Sequence, residues 1–379
     1  MRVLLTGGGT GGHLSPLLAV AKALQKEAEL KKEPLQMLYL GPCNNLSDLI
    51  LKSAGIETRH VMAGKWRRYF SFMNFVDVFR GFFGLLQAMF KVLVFMPDVV
   101  FSKGGYGSVP VVFAARLFLI PIVIHESDAV PGKANRIMQH FADVVAVSYE
   151  MTKGFSDPTK TYFTGSPVRE SILGGDPAKA KISLGLRTEK PVLLILGGSQ
   201  GAKKINEVIG QILIRLVETY EVIHQCGEKN YDEAKNLAGK AGIKVNRENY
   251  HLYPFMRDDK EELKNALNCA DLVLSRAGAS SIAEIAAHGK PSILVPLQGS
   301  ANDHQLHNAF EVAKAGAAIA LREENLTPEL LLGKIDILMN DMPLRKMMGE
   351  KAKIFYHSES AATIADIVLK LGNKEKLKD

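Results

Sequence analysis

Short apolar runs alternate with longer amphipathic stretches along most of this chain. Arg2–Thr6, Gln36–Leu40, Asp98–Ser102, Pro121–His125 and Asp143–Ser148 have the near-continuous hydrophobicity of strands buried on both faces, and Glu57–Val61 is read as a further strand in the same series. Between them apolar positions recur at helical spacing, as at Leu17, Leu18, Val20, Ala21 and Leu24. The alternation predicts βα units and a parallel sheet. It restarts at Pro191–Leu196 and continues through Glu221–Gln225, His251–Pro254, Asp271–Ser275, Pro291–Val295 and Ala317–Leu321. The pattern predicts an α/β fold of two Rossmann-like, doubly wound parallel-sheet domains, 1–166 and 167–356. The turn-forming cluster Thr164-Gly165-Ser166-Pro167 marks the joint. A helix at about 357–371 is expected to pack back on the first domain.

The punctuation between runs carries the chemistry. Arg2–Thr6 leads into Gly7-Gly8-Gly9-Thr10-Gly11-Gly12-His13, then Ser15-Pro16 and a helix. Strand, glycine turn and helix together present bare N–H groups at a helix N-terminus, which suits a phosphate or diphosphate. Pro16 is expected in the first helical turn, where its missing N–H costs nothing. His13 closes the loop at the end of a parallel strand, where ligands bind. It is read either as a general base, since an imidazole titrates near neutral pH, or as a helix cap. Further glycine loops follow strands at Ser102–Ser108, with Gly104, Gly105 and Tyr106, and at Gly197–Lys203. His125-Glu126-Ser127-Asp128 ends another strand; its carboxylates are suited to orienting an imidazole, binding sugar hydroxyls or capping the helix near Pro131. In Arg276–Glu284 small residues permit close ligand approach, and Glu284 is either half of a capping box or a ribose ligand. Asn302–Ala309 offers amides and imidazoles for a sugar, or a solvated helix end.

Composition narrows the classes. The 379 residues carry a net charge of +7, which favours acidic partners without choosing among them. The 3 cysteines are scattered and form no CxxC pair, against a disulfide framework or structural zinc. No secretory signal is expected, because the first apolar run enters a glycine loop at once. Gly81–Met96 comes nearest to a membrane span but is interrupted by Gln87 and Lys91. Lys65-Trp66-Arg67-Arg68-Tyr69-Phe70 precedes Phe72, Met73, Phe75, Phe79, Phe82 and Phe83. An aromatic stripe at helical spacing is usually core; the adjoining basic cluster suggests an anionic membrane surface instead. No nucleic-acid motif accompanies it. The second strand ends Tyr39-Leu40-Gly41 without the carboxylate that a nicotinamide dinucleotide site would place there. There is no P-loop and no Asp-x-Asp, so neither cofactor nor metal is expected.

The ordered set GGGTGGH, SKGGYGS, HESD…PGKAN, GSPVR, GGSQGAK, RAGASSIAE and DHQLHNA, from residue 7 to 309, resembles the MurG family of peptidoglycan N-acetylglucosaminyltransferases. The resemblance implies a GT-B fold, two Rossmann-like domains facing across a cleft. It implies inverting transfer of GlcNAc from UDP-GlcNAc to the C4 hydroxyl of undecaprenyl-diphosphate-linked MurNAc-pentapeptide, at the cytoplasmic face of the inner membrane alongside other cell-wall synthesis proteins. It assigns His13 as the base. Thr10, Gly11 and Gly12 would approach the donor and the acceptor diphosphate, Arg169 and Ser199 would contact the UDP diphosphate, and Met256 the uracil. Ala279, Ser280, Ser281, Ile282, Ala283 and Glu284 would line the nucleoside, with Glu284 on the ribose, and Gln305 would hold GlcNAc. Asp128 stands where many members carry an Asn that contacts the donor sugar. Gly104, Gly105, Tyr106 and Glu126 fall on the acceptor side, and Glu126 is counted with His13 as catalytic. The rival readings are another GT-B lipid glycosyltransferase and a nucleotide-sugar-binding protein without turnover.

Overall fold

The structure is a computed structural model and describes residues 1–8, 11–42, 45–64, 72–150, 152, 155, 157–198 and 201–377. The chain divides into two compact units, Met1–Arg169 with His357–Asp379, and Glu170–Tyr356. The division follows Arg169, three residues beyond the expected joint.

Unit 1 is built on a parallel sheet of β1 (Arg2–Thr6), β2 (Gln36–Gly41), β3 (Glu57–His60), β4 (Val99–Ser102), β5 (Ile122–Glu126), β6 (Val144–Val147) and β7 (Thr161–Phe163). The spatial order is β3-β2-β1-β4-β5-β6-β7. The strand order reverses at β1, so the loops after β1 and β4 leave the sheet side by side, where an open α/β sheet binds its ligands. Apolar side chains fill both faces: Val3, Leu5, Val99 and Phe101 on one, and Leu4, Leu38, Val100 and Ile124 on the other. The helix Ser360–Gly372 covers the first face, packing on the helix Gly11–Lys31 with Ile364, Ala365 and Val368 buried. The short strand β7 was not evident in the sequence, because Thr161-Tyr162-Phe163 pairs only along one edge.

The helix after β1 begins at Gly11 and not at Pro16. Pro16 lies inside it, contrary to the expectation, and His13 belongs to the first helical turn. The two glycines that lead the helix have no Cβ to clash, and their entropic cost of about 0.5–1 kcal/mol each relative to alanine is small enough for the earlier start.

The aromatic stripe belongs to the helix Phe72–Phe95. Its inner face buries Asp77, Ala88 and Val92 and packs on the helix Val109–Leu117. Phe75, Phe79, Phe82, Phe83 and Phe90 lie on the outer face, 50–67% exposed. The core reading therefore fails for the outer aromatics. A helix apolar on both faces, with one face uncovered, marks an interaction surface. No described helix is long and apolar enough to cross a membrane. Lys65–Phe70 lies outside the described residues.

Unit 2 repeats the design with β8 (Val192–Leu196), β9 (Glu221–Gln225), β10 (Tyr250–Tyr253), β11 (Leu272–Ser275), β12 (Ser292–Leu294) and β13 (Ala318–Ala320). All are parallel, in the order β10-β9-β8-β11-β12-β13. Its core joins Leu193, Ile195, Val222 and Leu274 to Ile205, Ile209 and Leu213 of the helix Lys203–Thr219.

Candidate active site

In unit 1 three strand ends converge. After β1 the Gly7 carbonyl accepts a 3.1 Å bond from the Tyr39 hydroxyl. After β4 the Lys103 N–H donates to the Thr6 carbonyl at 2.9 Å, which carries the β1–β4 pairing past the strands. Gly104 and Gly105 then turn at φ of 89° and 85°, the left-handed region that glycine alone enters freely. The Ser108 hydroxyl donates to the Gly104 carbonyl at 2.8 Å and fixes the turn.

His13 stands between these loops. A Cβ on Gly8 would lie 3.0 Å from its Cε1 and Nδ1, and one on Gly105 would lie 3.1 Å from its Nε2. A side chain at either position would press on the imidazole, so both loops approach it closely as glycine. The ring is half-buried. Its place in the first helical turn sets it among donors that have no intrahelical partner.

Behind the second loop lies a buried polar cluster. Glu126 ends β5, and both of its oxygens bind the following loop. One accepts from the Asp128 N–H at 3.0 Å, the other from the Gly132 N–H at 3.0 Å and from Asn135 Nδ2 at 2.8 Å. A Cβ on Gly104 would meet Asn135 Oδ1 at 2.5 Å, so Asn135 also supports the glycine turn. Lys103 is 4% exposed. Burial lowers its pKa, and the charges of Glu126 and Asp128 oppose that shift. Burial raises the pKa of Glu126, as does Asp128, against Lys103 and the two N–H bonds. His125 is fully buried with Nε2 3.1 Å from the Gly165 carbonyl, so Nε2 carries the proton. Burial and the Lys103 charge hold its pKa well below the usual value, so it is neutral. It is buried with Nε2 on a carbonyl, which suits a packing role. Lys103 and Asn135 were not singled out as site residues from the sequence. The available signal was a lysine opening a glycine loop directly after an apolar strand.

In unit 2 the helix Ala279–Ala287 follows β11, with Gly278 at its N-cap and no side-chain cap bond. Ala279, Ile282, Ala283 and Glu284 are buried, and Ser280 and Ser281 half-buried. Glu284 is the sixth helical residue, beyond the third position that a capping box requires, so that reading is excluded. The loop after β12 is held from three sides. Gln305 Oε1 accepts from the Leu297 N–H at 2.9 Å, which leaves its amide donors directed elsewhere. Arg276 Nη1 donates to the Val295 carbonyl at 3.3 Å while its other arm pairs with Glu323. Glu323 in turn accepts from the Gln298 N–H at 3.1 Å. Met256 is 1% exposed and donates its N–H to Gln225 Oε1 at 3.1 Å. Gly198 and Gly201 turn at φ of 76° and 78° ahead of the helix Lys203–Thr219. Thr10 and Ser199 lie outside the described residues, and Arg169 is the last residue of unit 1 before unit 2 begins. Tyr106 and Asp128 are half-buried at their strand ends, and Gly12 is exposed next to Gly11 in the first helical turn.

Residues 3–147 match the glycosyltransferase family 28 N-terminal domain and residues 192–366 its C-terminal domain. A UDP-N-acetylglucosamine–N-acetylmuramyl-(pentapeptide) pyrophosphoryl-undecaprenol N-acetylglucosamine transferase of Treponema denticola is 37% identical, covering 96% of this chain and 93% of the relative. One from Clostridium perfringens is 38% identical over 91% of this chain and 94% of the relative. The crystal structure of Acinetobacter baumannii MurG aligns with a TM-score of 0.71 at 28% identity, covering 97% of this chain and 99% of that one. A Staphylococcus aureus MnaA–UDP structure reaches a TM-score of 0.70 at 15% identity and shows a shared fold. The chain belongs to glycosyltransferase family 28 and, within it, to the MurG family of N-acetylglucosamine transferases.

Proposed function

We propose that this chain transfers GlcNAc from UDP-GlcNAc to the C4 hydroxyl of undecaprenyl-diphosphate-linked MurNAc-pentapeptide, lipid I to lipid II, with inversion. The observation that carries the reading is His13, held at the end of β1 by Gly8 and Gly105 in a chain whose full-length relatives are named for this reaction. In the proposed step the imidazole takes the C4 hydroxyl proton as that oxygen attacks the anomeric carbon. The bond from the anomeric carbon to the UDP oxygen breaks, and UDP leaves with the electron pair. One displacement gives inversion. Arg169, Ser199 and the N-terminus of the helix Lys203–Thr219 would stabilise the departing diphosphate. Thr10, Gly11 and Gly12 would approach it, while Ala279–Glu284 and Met256 hold the nucleoside. Gln305 and Asp128 would contact the sugar, and Gly104, Gly105 and Tyr106 the acceptor. Glu126 has both oxygens bound to the loop it supports, which suits positioning better than proton transfer.

The test is transfer of labelled GlcNAc to a lipid I analogue, with a chelator present. Product with the inverted linkage is expected. UDP-GlcNAc binding without product would favour the binding-protein reading.

The exposed aromatic face supports peripheral attachment at the cytoplasmic face of the inner membrane. A fully buried Phe is worth roughly 1.5–3 kcal/mol, so partial insertion of several suits reversible binding. Replacing Phe79, Phe82 and Phe90 together by Ser is expected to weaken sedimentation with anionic vesicles about 10- to 100-fold. Turnover of a soluble acceptor analogue should be unchanged. Undiminished vesicle binding would assign the face to another partner.

A further inference from the structure

Gln225 ends β9 and is 6% exposed. In the order β10-β9-β8 its strand lies between the one that leads to the glycine loop and the one that leads to Met256. A side chain at this strand end is therefore placed to touch both loops, and Gln225 does. Its Oε1 accepts from the Met256 N–H at 3.1 Å, and its Nε2 donates to the Gly198 carbonyl at 3.2 Å. The backbone rungs stop at this level: Gly197 N–H to the Gln225 carbonyl at 2.9 Å, and Cys226 N–H to the Tyr253 carbonyl at 3.0 Å. Beyond them the amide side chain adds one more rung in each direction.

The chemistry of the pair requires an amide. One partner is a donor and the other an acceptor, so a carboxylate, a thioether or an alkyl chain satisfies one at most. Each bond also fixes a peptide plane. A trans peptide holds its C=O opposite its N–H, so directing the Met256 N–H at Gln225 turns the Phe255 carbonyl away from it. Holding the Gly198 carbonyl fixes the plane that follows Gly198, at the point where the chain turns with φ of 76°.

The strand end itself is firmly placed. His224 Nδ1 lies 2.9 Å from the Tyr250 hydroxyl and its Nε2 3.0 Å from Asn206 Oδ1. Burial lowers the His224 pKa to about 3, so the ring is neutral. Asn206 and Asn230 both donate to the Cys226 carbonyl, at 2.9 and 3.0 Å. These bonds anchor the backbone on both sides of Gln225 to the helix Lys203–Thr219 and to β10.

We propose that Gln225 is a positioning residue for the donor nucleotide, joining the glycine loop after β8 to the Met256 turn after β10 so that the phosphate and base contacts are set as one unit. The proposal rests on the reading of unit 2 as the UDP-GlcNAc half.

The experiment is calorimetric binding of UDP and CDP to the full chain, with thermal melts as the control for folding. Gln225→Ala loses both bonds. Its UDP affinity is expected to fall about 10- to 100-fold, and its preference for UDP over CDP at least about 5-fold. Gln225→Glu retains an acceptor for the Met256 N–H and loses the donor to Gly198. It should keep the base preference while UDP affinity falls at least about 10-fold. Gln225→Met, of similar size, makes the same comparison as alanine should Gln225→Ala fail to fold. UDP affinity within two-fold of the unaltered chain in the alanine or methionine variant, or equal loss of base preference in Gln225→Glu and Gln225→Ala, would overturn the proposal. Absence of UDP binding by the unaltered chain would overturn it together with the donor reading. UDP binding by the unaltered chain with the expected losses in the variants, but no GlcNAc transfer from UDP-GlcNAc to lipid I, would leave the proposal standing and overturn the transfer reading.

Discussion

Replacing His13 by alanine is expected to lower kcat for GlcNAc transfer about 10²- to 10⁴-fold, with little change in the KM for UDP-GlcNAc. The expected loss is the contribution of a positioned base. The ring has that positioning: it sits in the first turn of the helix Gly11–Lys31 with Gly8 and Gly105 against its edges. The donor contacts proposed for unit 2 do not include it, which is why kcat should move and KM should not. The pH profile gives a second readout. A base acts in its neutral form, so the rate of the unaltered enzyme should fall as pH drops and the imidazole protonates. The alanine variant should lack that limb. Gly105→Ala offers a geometric control, because its Cβ would press on Nε2 and the backbone there has φ of 85°. It should lower kcat while leaving the imidazole in place. Transfer by His13→Ala at near-normal rate, with the acid limb retained, would move the base to another group.

The second large effect is expected at Glu126. Truncation to alanine is expected to destabilise unit 1 by about 3–5 kcal/mol, because each buried donor left without an acceptor costs about 1–3 kcal/mol. Three loop donors lose their acceptor, and Lys103 stays buried facing only Asp128. Urea unfolding of Glu126→Ala, Lys103→Met and the double variant measures this. The double variant should be distinctly more stable than the sum of the single losses predicts, because it removes both charges together. A loss below about 1 kcal/mol in Glu126→Ala, or strict additivity, would show that the two charges do not depend on each other. Activity should fall in Glu126→Ala through the displaced loop, while the acid limb assigned to His13 persists. That persistence separates a positioning role from a base.

The repeated strand, glycine loop and helix were legible because each is a local pattern. Apolar runs such as Val3-Leu4-Leu5 and Leu193-Leu194-Ile195 are short enough to be strands and lack the alternation of a half-exposed one. Two such series imply two sheets. The ordered motifs made the family legible. Several details were not. The first helix starts at Gly11, because helix ends are set by backbone bonds that a glycine run disfavours only weakly. Strand β7 follows from edge pairing to β6, and Thr161-Tyr162-Phe163 carries too little pattern to announce it.

The site divides in the same way. The sequence by itself determined that Glu126 ends a strand, that His13 and Ala279–Glu284 follow strands and that Gln305 lies at a helix start. Only the tertiary structure decided what each touches. His13 and Gly105 are far apart in sequence and meet because β4 lies beside β1. Lys103 gains its carboxylates because β5 lies beside β4, and Gln225 joins two loops because β9 runs between β8 and β10. The outer aromatics of Phe72–Phe95 are exposed because the helix Val109–Leu117 packs on one face and the sequence period does not say which face is covered. Hydrophobic period and turn chemistry act over a few residues and write themselves into the local sequence. Contacts between strand ends depend on the order of strands in the sheet, which no local window contains.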